Sequence, residues 1–216
     1  MSPHAYGRTP IKICGVRTSE AMDAAVDAGA DAIGFVFVST SPRYIPPKKA
    51  WPLVASLRPM VTSLGLFQNC SLDAFCDIEQ MCPTALSQLH GDEAVPLVRD
   101  CGPGVIKSVR FDPQTIESKL KKWDAVEEVD AILVDGSAGG QGTAFRWELL
   151  AEHMGEITTP IFVAGGLTPE NVAEAIRVVR PFAVDVSSGV ESGAGVKDPG
   201  RIRAFCEAVH GVDNES

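Results

Sequence analysis

Short apolar runs punctuate the chain at residues 11–16, 32–38, 63–67, 85–89, 105–109, 131–134, 161–164 and 183–186. Most are near-continuous Val, Ile, Leu, Phe and Ala, not an alternation of apolar and polar. Strands covered on both faces have this pattern, which points to a parallel sheet beneath helices. Between the runs lie segments with helical spacing, at 19–28, 47–57, 72–81, 93–101, 113–123, 146–154, 169–179 and 199–209. The first puts Ala21, Ala25 and Ala28 on one side, follows Thr18 and Ser19 as candidate caps, and stops at Gly29. Several others open with proline in the first turn, where the missing N–H costs nothing. Strand and helix alternate strictly, eight times, as parallel crossovers require.

Two architectures accommodate eight such units. An open doubly wound sheet would carry a Gly-x-Gly-x-x-Gly turn after its first strand. Here that strand runs into Cys14-Gly15-Val16-Arg17. Eight similar units without a long insertion favour closure. The pattern therefore predicts a (β/α)8 TIM barrel, one domain over residues 1–216, with flexible tails at 1–9 and 211–216. A length of 216 residues suits such a barrel, and a 45% hydrophobic composition supplies its core.

The formal net charge of −9 argues against nucleic acid or an anionic membrane as partner. It also means that any anionic ligand must be held by a local positive site. No stretch of the first nine residues reads as a signal peptide, and no run of about 18 apolar residues suggests a membrane span. The six cysteines form no Cys-x-x-Cys pair. They read as reduced thiols of a cytoplasmic protein, with no structural zinc. Monomer and homodimer both fit the sequence.

In closed α/β barrels the chemistry sits at the C-terminal ends of the strands. The polar residues expected there are Lys12, Cys14, Ser41, Arg43, Gln68, Asn69, Gln88, His90, Lys107, Arg110, Asp135, Asp185, Ser187 and Ser188. Gly165 and Gly166 end the seventh strand, and Ser187-Ser188-Gly189 ends the eighth. Glycines there admit backbone N–H groups close to a ligand, and a short helix near Ser188 would aim its N-terminus at the same point. Loops after these two strands commonly grip phosphate, although both could serve only as tight turns. Cys14 reads as an inert small hydrophobe or as a nucleophile or base. Asp135, after four apolar residues, is costly to bury unless paired or used, and Asp185 shares that ambiguity. Arg43, behind Ser41-Pro42, could hold a carboxylate or a surface partner. His90 could carry protons or be a hydrogen-bonded structural residue. No metalloprotease, α/β-hydrolase or P-loop motif is present.

Taken together, the chain resembles the phosphoribosylanthranilate isomerase family of tryptophan biosynthesis. The matching residues are Lys12-Ile13-Cys14-Gly15, the run from Gly29 to Phe37, Ser41-Pro42-Arg43-Tyr44, Gln88-Leu89-His90-Gly91 and Val134-Asp135. They continue with Ala164-Gly165-Gly166-Leu167, Asn171-Val172, the run from Asp185 to Glu191, and Lys197-Asp198. They span almost the whole chain in order, and the ordered set is specific although no single motif is. The resemblance implies a cofactor-free Amadori rearrangement of a small phosphorylated aminosugar, the aminoaldose N-(5-phosphoribosyl)anthranilate, to an aminoketose. By position, Asp135 matches the general acid and Cys14 the general base. Arg43 matches the residue that holds the anthranilate carboxylate. Lys12, Gln88, His90 and Asp185 fall among the substrate contacts, and Gly165, Gly166, Ser187, Ser188 and Gly189 match the phosphate loops. Lys12 and Arg43 are expected to lower the Cys14 pKa, and burial to raise that of Asp135.

The sequence departs from the family pattern at Gly139-Gly140-Gln141-Gly142-Thr143, where Gln141 stands in place of Thr, and at Arg146, in place of Asp. Two other readings compete. A histidine-pathway aminoaldose isomerase would carry Asp where this chain has Cys14. A binding module that has lost its activity would lack one of the two catalytic candidates, and both are present.

Overall fold

The computed structural model describes residues 7–136 and 146–214. Eight parallel strands close into a barrel in chain order. They are β1 (Ile11–Cys14), β2 (Ala32–Val36), β3 (Thr62–Phe67), β4 (Leu86–Leu89), β5 (Val105–Arg110), β6 (Val129–Asp135), β7 (Ile161–Ala164) and β8 (Ala183–Val186). The helices are α1 (Ser19–Asp27), α2 (Pro47–Ser56), α3 (Leu72–Met81), α4 (Val95–Asp100), α5 (Ile116–Asp124), α6 (Trp147–Ala151), α7 (Val172–Val179) and α8 (Pro199–Asp213). Pairing of β1 with β8, Lys12 opposite Asp185, closes the ring. The fold is the (β/α)8 barrel that the hydrophobic pattern predicts.

Alternation along each strand divides the core in two. Leu64, Ile106, Ala131, Leu133 and Ala164 form a small inner cluster. Strand residues of the opposite parity, such as Ile13, Phe67, Val105, Ile132, Val163 and Val184, belong to the larger layer between strands and helices. The same parity points Lys12, Cys14, Gln88, Asp135 and Asp185 into the barrel. It turns Lys107 outward, beneath α5, so this strand-end candidate lies outside the mouth.

Several boundaries differ from the pattern, four of them for a clear local reason. β1 stops at Cys14, because Gly15 turns the chain with φ +80°. α4 starts at Val95, not at 93, because the Glu93 carboxylate is drawn inward to accept N–H groups from Asn69 and Gly91. α7 starts at Val172, because Asn171 closes the preceding turn, accepting from Thr168 N and donating to Gly166 O. α8 continues past 209 to Asp213, whose carboxylate accepts from the backbone N and the hydroxyl of Thr9. Thr9 and the 211–213 turn, assigned to the tails from sequence, are thus tied together. Residues 1–6 and 215–216 lie outside the described residues.

Between β8 and α8 comes a single 3₁₀ turn (Ser188–Val190), where the sequence leads one to expect a short helix. A two-stranded antiparallel hairpin follows, β9 (Glu191–Gly193) with β10 (Val196–Lys197), which has no sequence signal.

Candidate active site

A cavity of about 270 Å³ opens at the C-terminal ends of the strands. Cys14, Arg43, Gln88, His90, Asp135 and Asp185 line it, drawn from β1, β4, β6 and β8 and from the segments that follow β2 and β4. Gly165, Gly166, Ser187 and Ser188 form its β7–β8 rim. Two sequence candidates stand behind the wall: Lys12, 1% exposed, and Gly189 in the 3₁₀ turn. Gln68 and Ser41 line the cavity as well. A second hollow, of about 540 Å³, adjoins on the β4–β6 side and shares Gln68, His90 and Asp135.

A polar chain crosses the floor. Lys12 Nζ donates to Gln88 Oε1 at 2.7 Å and lies 2.9 Å from Asp185 Oδ1. The ion pair is close, but Asp185 Oδ1 receives no well-aligned hydrogen bond. The Gln88 amide nitrogen lies 2.9 Å from His90 Nδ1, and His90 Nε2 lies 3.2 Å from Asp135 Oδ2. Lysine is a donor only, so Gln88 Oε1 must accept and its NH₂ must donate to Nδ1. His90 Nε2 then carries the ring proton and faces Asp135. The hydrogen-bonding role of His90 is therefore tied to its contact with the acid candidate.

The electrostatics of Cys14 differ from the sequence expectation. Burial pushes its thiol up, Lys12 pulls it down, and Asp185 pushes it up again; the net direction is upward. Lys12 lowers the thiol as expected, but desolvation at 4% exposure outweighs it. The Lys12 ammonium is itself pushed down by burial, yet Asp185 and Cys14 more than offset this, so it stays charged. Gly34, the β2 neighbour of Cys14, leaves the space: a Cβ there would sit 3.1 Å from Cys14 Sγ. Burial also pushes the thiols of Cys101 and Cys206 up, to about 12.

The β7–β8 rim depends on glycine. Gly165 and Gly166 both have positive φ, +84° and +73°, which puts their backbone where side chains rarely follow. At Gly189 a Cβ would stand 1.8 Å from Leu167 O, so the two loops touch only because it has none. Ser187 Oγ donates to the Cys14 carbonyl at 3.1 Å, joining this rim to β1.

Sequence reasoning passed over Glu191 and Lys197 as functional residues. Arg43 Nε and Nη2 donate to the two Glu191 oxygens at 2.7 and 2.9 Å. Lys197 Nζ donates to Glu191 Oε1 at 2.9 Å and to Ser187 O at 2.9 Å. Both residues stand in the matched motifs, which was the available signal. Residues 139–143, where the sequence departs from the family pattern, lie outside the described residues, and Arg146 immediately precedes α6.

Residues 11–208 match the family model described as N-(5'phosphoribosyl)anthranilate (PRA) isomerase. A relative from Pseudomonas fluorescens (strain Pf0-1), named N-(5'-phosphoribosyl)anthranilate isomerase, is 44% identical over 202 residues, covering 92% of this chain and 97% of the relative. The crystal structure of phosphoribosyl anthranilate isomerase from Thermotoga maritima superposes with a TM-score of 0.86 at 38% identity, covering 94% of this chain and 99% of that one. A phosphoribosyl anthranilate isomerase in complex with reduced 1-(o-carboxyphenylamino)-1-deoxyribulose 5-phosphate superposes with a TM-score of 0.83 at 37% identity, covering 94% and 99%. A barrel with this mouth, matched by family and structure over nearly its whole length, belongs to the N-(5'-phosphoribosyl)anthranilate isomerase family and is an isomerase.

Proposed function

We propose that this chain carries out the Amadori rearrangement of N-(5'-phosphoribosyl)anthranilate in tryptophan biosynthesis, with Asp135 as general acid and Cys14 as general base. Asp135 protonates the furanose ring oxygen, and the C1–O bond breaks to give the open-chain iminium. The Cys14 thiolate then takes the C2 proton. The electron pair of that C–H bond moves toward the iminium, giving an enaminol that ketonises to the product. A thiol held above its ordinary value is the stronger base once ionised, which suits removal of a carbon-bound proton.

The observation that carries the reading is that Cys14 and Asp135, on β1 and β6, line one cavity beside the glycine-rich β7–β8 rim. The backbone N–H groups of that rim suit a phosphate. Arg43 suits the anthranilate carboxylate through the fork of its guanidinium. Gln88, His90 and Asp185 complete the wall against the ribose-derived chain, and Lys12 acts from beneath by holding Gln88 and Asp185. The ligand named in the related complex, a phosphorylated carboxyphenylamino sugar, carries the same two anionic ends.

Freshly made phosphoribosylanthranilate, followed by loss of its fluorescence, tests this. Cys14→Ser and Asp135→Asn should each lower kcat about 10²–10⁴-fold while circular dichroism stays unchanged. Near-normal turnover in either folded variant would reject the assignment.

A further inference from the structure

Glu191 closes the 185–191 motif, yet the chemistry above gives it no task. It is a side chain 4% exposed with an unusual set of partners: Arg43 Nε, Arg43 Nη2, Lys197 Nζ and the backbone N–H of Gly195. Burial pushes its carboxyl up, but the hydrogen bonds from Arg43 and Lys197 outweigh this and hold it below the ordinary range. The charge is therefore permanent across the neutral range.

A guanidinium offers two bidentate edges, Nε with one terminal nitrogen and the two terminal nitrogens together. Glu191 occupies the first. No hydrogen bond among the described residues uses Nη1, and Arg43 lines the cavity. With one edge clamped, the other has a fixed direction. The arginine stem is confined too: its Cδ lies 2.8 Å from where a Cβ at Gly15 would stand. The clamp is itself braced. Arg17 Nη1 donates to Pro42 O, one residue before Arg43, at 2.9 Å and to Gly195 O at 3.5 Å, tying the hairpin tip to the loop after β2. Lys197 holds the other side of Glu191 and the carbonyl of Ser187.

We propose that Glu191 is a positioning residue: it fixes which edge of the Arg43 fork faces the cavity, and so sets the selectivity of the site for a ligand bearing an aromatic carboxylate. The inference rests on the Arg43 assignment above. Orientation is the mechanism, because a fork held in advance loses no side-chain freedom when the carboxylate arrives. The neighbouring Lys197 keeps the cluster net positive although Glu191 is an anion.

The test compares two ligands on purified full-length protein: reduced 1-(o-carboxyphenylamino)-1-deoxyribulose 5-phosphate and its analogue with phenyl in place of carboxyphenyl. The readout is the ratio of their dissociation constants by calorimetry. In Glu191→Gln the preference for the carboxylated ligand should fall about tenfold, the equivalent of one well-aligned charge-assisted hydrogen bond, with affinity for the phenyl analogue nearly unchanged. In steady state, KM should rise more than kcat falls. In an Arg43→Lys background, which has no fork, adding Glu191→Gln should change the preference by less than twofold. Should Glu191→Gln not fold, Glu191→Asp, which keeps the charge but shortens the reach, reads the same ratio. Equal weakening of both ligands, or full additivity with Arg43→Lys, would overturn the inference alone. Wild-type protein that binds both ligands alike would overturn the Arg43 assignment, and this inference with it.

Discussion

Two lysines are buried in the barrel wall, Lys12 on β1 at 1% exposure and Lys107 on β5 at 2%. Both are ammonium groups taken out of water, and the chain disposes of them in opposite ways. Lys107 points outward, and its environment is saturated. It donates to the carbonyls of Leu89, Gly91 and Ser108 and to the Glu93 carboxylate, all within 3.1 Å, and lies 5.4 Å from the centre of the Trp123 ring. Burial still pushes its pKa down, with Glu93 only partly offsetting it. Lys12 points inward, and its partners are groups of the cavity: Gln88, Asp185 and Cys14. Its pKa moves up. The outward lysine is consumed by structure, pinning the loops that begin after β4. The inward one leaves its field on residues a substrate can touch.

Methionine at each position breaks the comparison at its strongest point. Lys12→Met removes the cation that pulls the Cys14 thiol down, and kcat should fall about 10²-fold, the low end of an acid–base contribution. Lys107→Met should leave kcat of the folded enzyme within a few-fold of wild type, yet lower stability in a urea melt by about 3–5 kcal/mol, because Glu93 is left buried and unpaired. The reverse outcome, with Lys107→Met inactive and stable, would show that the division is wrong.

The pH dependence sharpens the same contrast. With Cys14 raised, kcat/KM of the wild type should still be climbing at pH 9, the ordinary thiol value. In Lys12→Met that rise should move to still higher pH. Stability behaves differently. Burial raises the Glu93 carboxyl, but hydrogen bonds from Asn69 and Lys107 bring it below its ordinary value. A depressed folded-state value stabilises above the unfolded value and ceases to as pH falls, so this contribution should fade below about pH 4.5. Without Lys107 the same carboxyl prefers its proton. The stability gap between wild type and Lys107→Met should therefore narrow below that pH, and a constant gap in acid melts would contradict the pairing. The smallest effect belongs to Lys122, whose Nζ stands 4.4 Å from the Trp123 ring centre. Lys122→Ala should cost less than about 1 kcal/mol with kcat unchanged, which separates the ring contact from the hydrogen-bonded clamp of Lys107.

The eight-fold alternation was legible because most strands are dense apolar runs separated by segments of helical spacing, although only α1, α3 and α8 carry side-chain N-caps, at Thr18, Ser71 and Asp198. The parity of the strand residues was not. In a parallel barrel both faces are covered, so Lys12 and Lys107 look alike in sequence, each an interruption in an apolar run. Only the register of the closed sheet tells inside from outside. Glu93 reads as the start of a helix until Lys107 and Asn69 draw it inward. The β9–β10 hairpin, with strands of three and two residues, is too short for any period to show. Cys14, Arg43, His90 and Asp135 were legible as polar residues at strand ends, whereas the Arg43–Glu191 pair spans 148 positions of sequence and emerges only when β8 closes on β1.

The row from Lys12 through Gln88 and His90 to Asp135 has a sense of direction, like a one-way street. It begins at a group that can only give and passes through an amide whose two ends differ. That fixes the imidazole in one orientation, with Nδ1 already serving as acceptor. Such a row holds its members rigidly in step, yet it is an insulator for protons: none can enter the ring at Nδ1 without reversing the amide. Under the proposed assignment, Cys14 and Asp135 are thus chemically separate, since this row offers no proton path between them. Whatever proton one gains and the other loses in a turnover must travel through the substrate or through solvent, never through the wall.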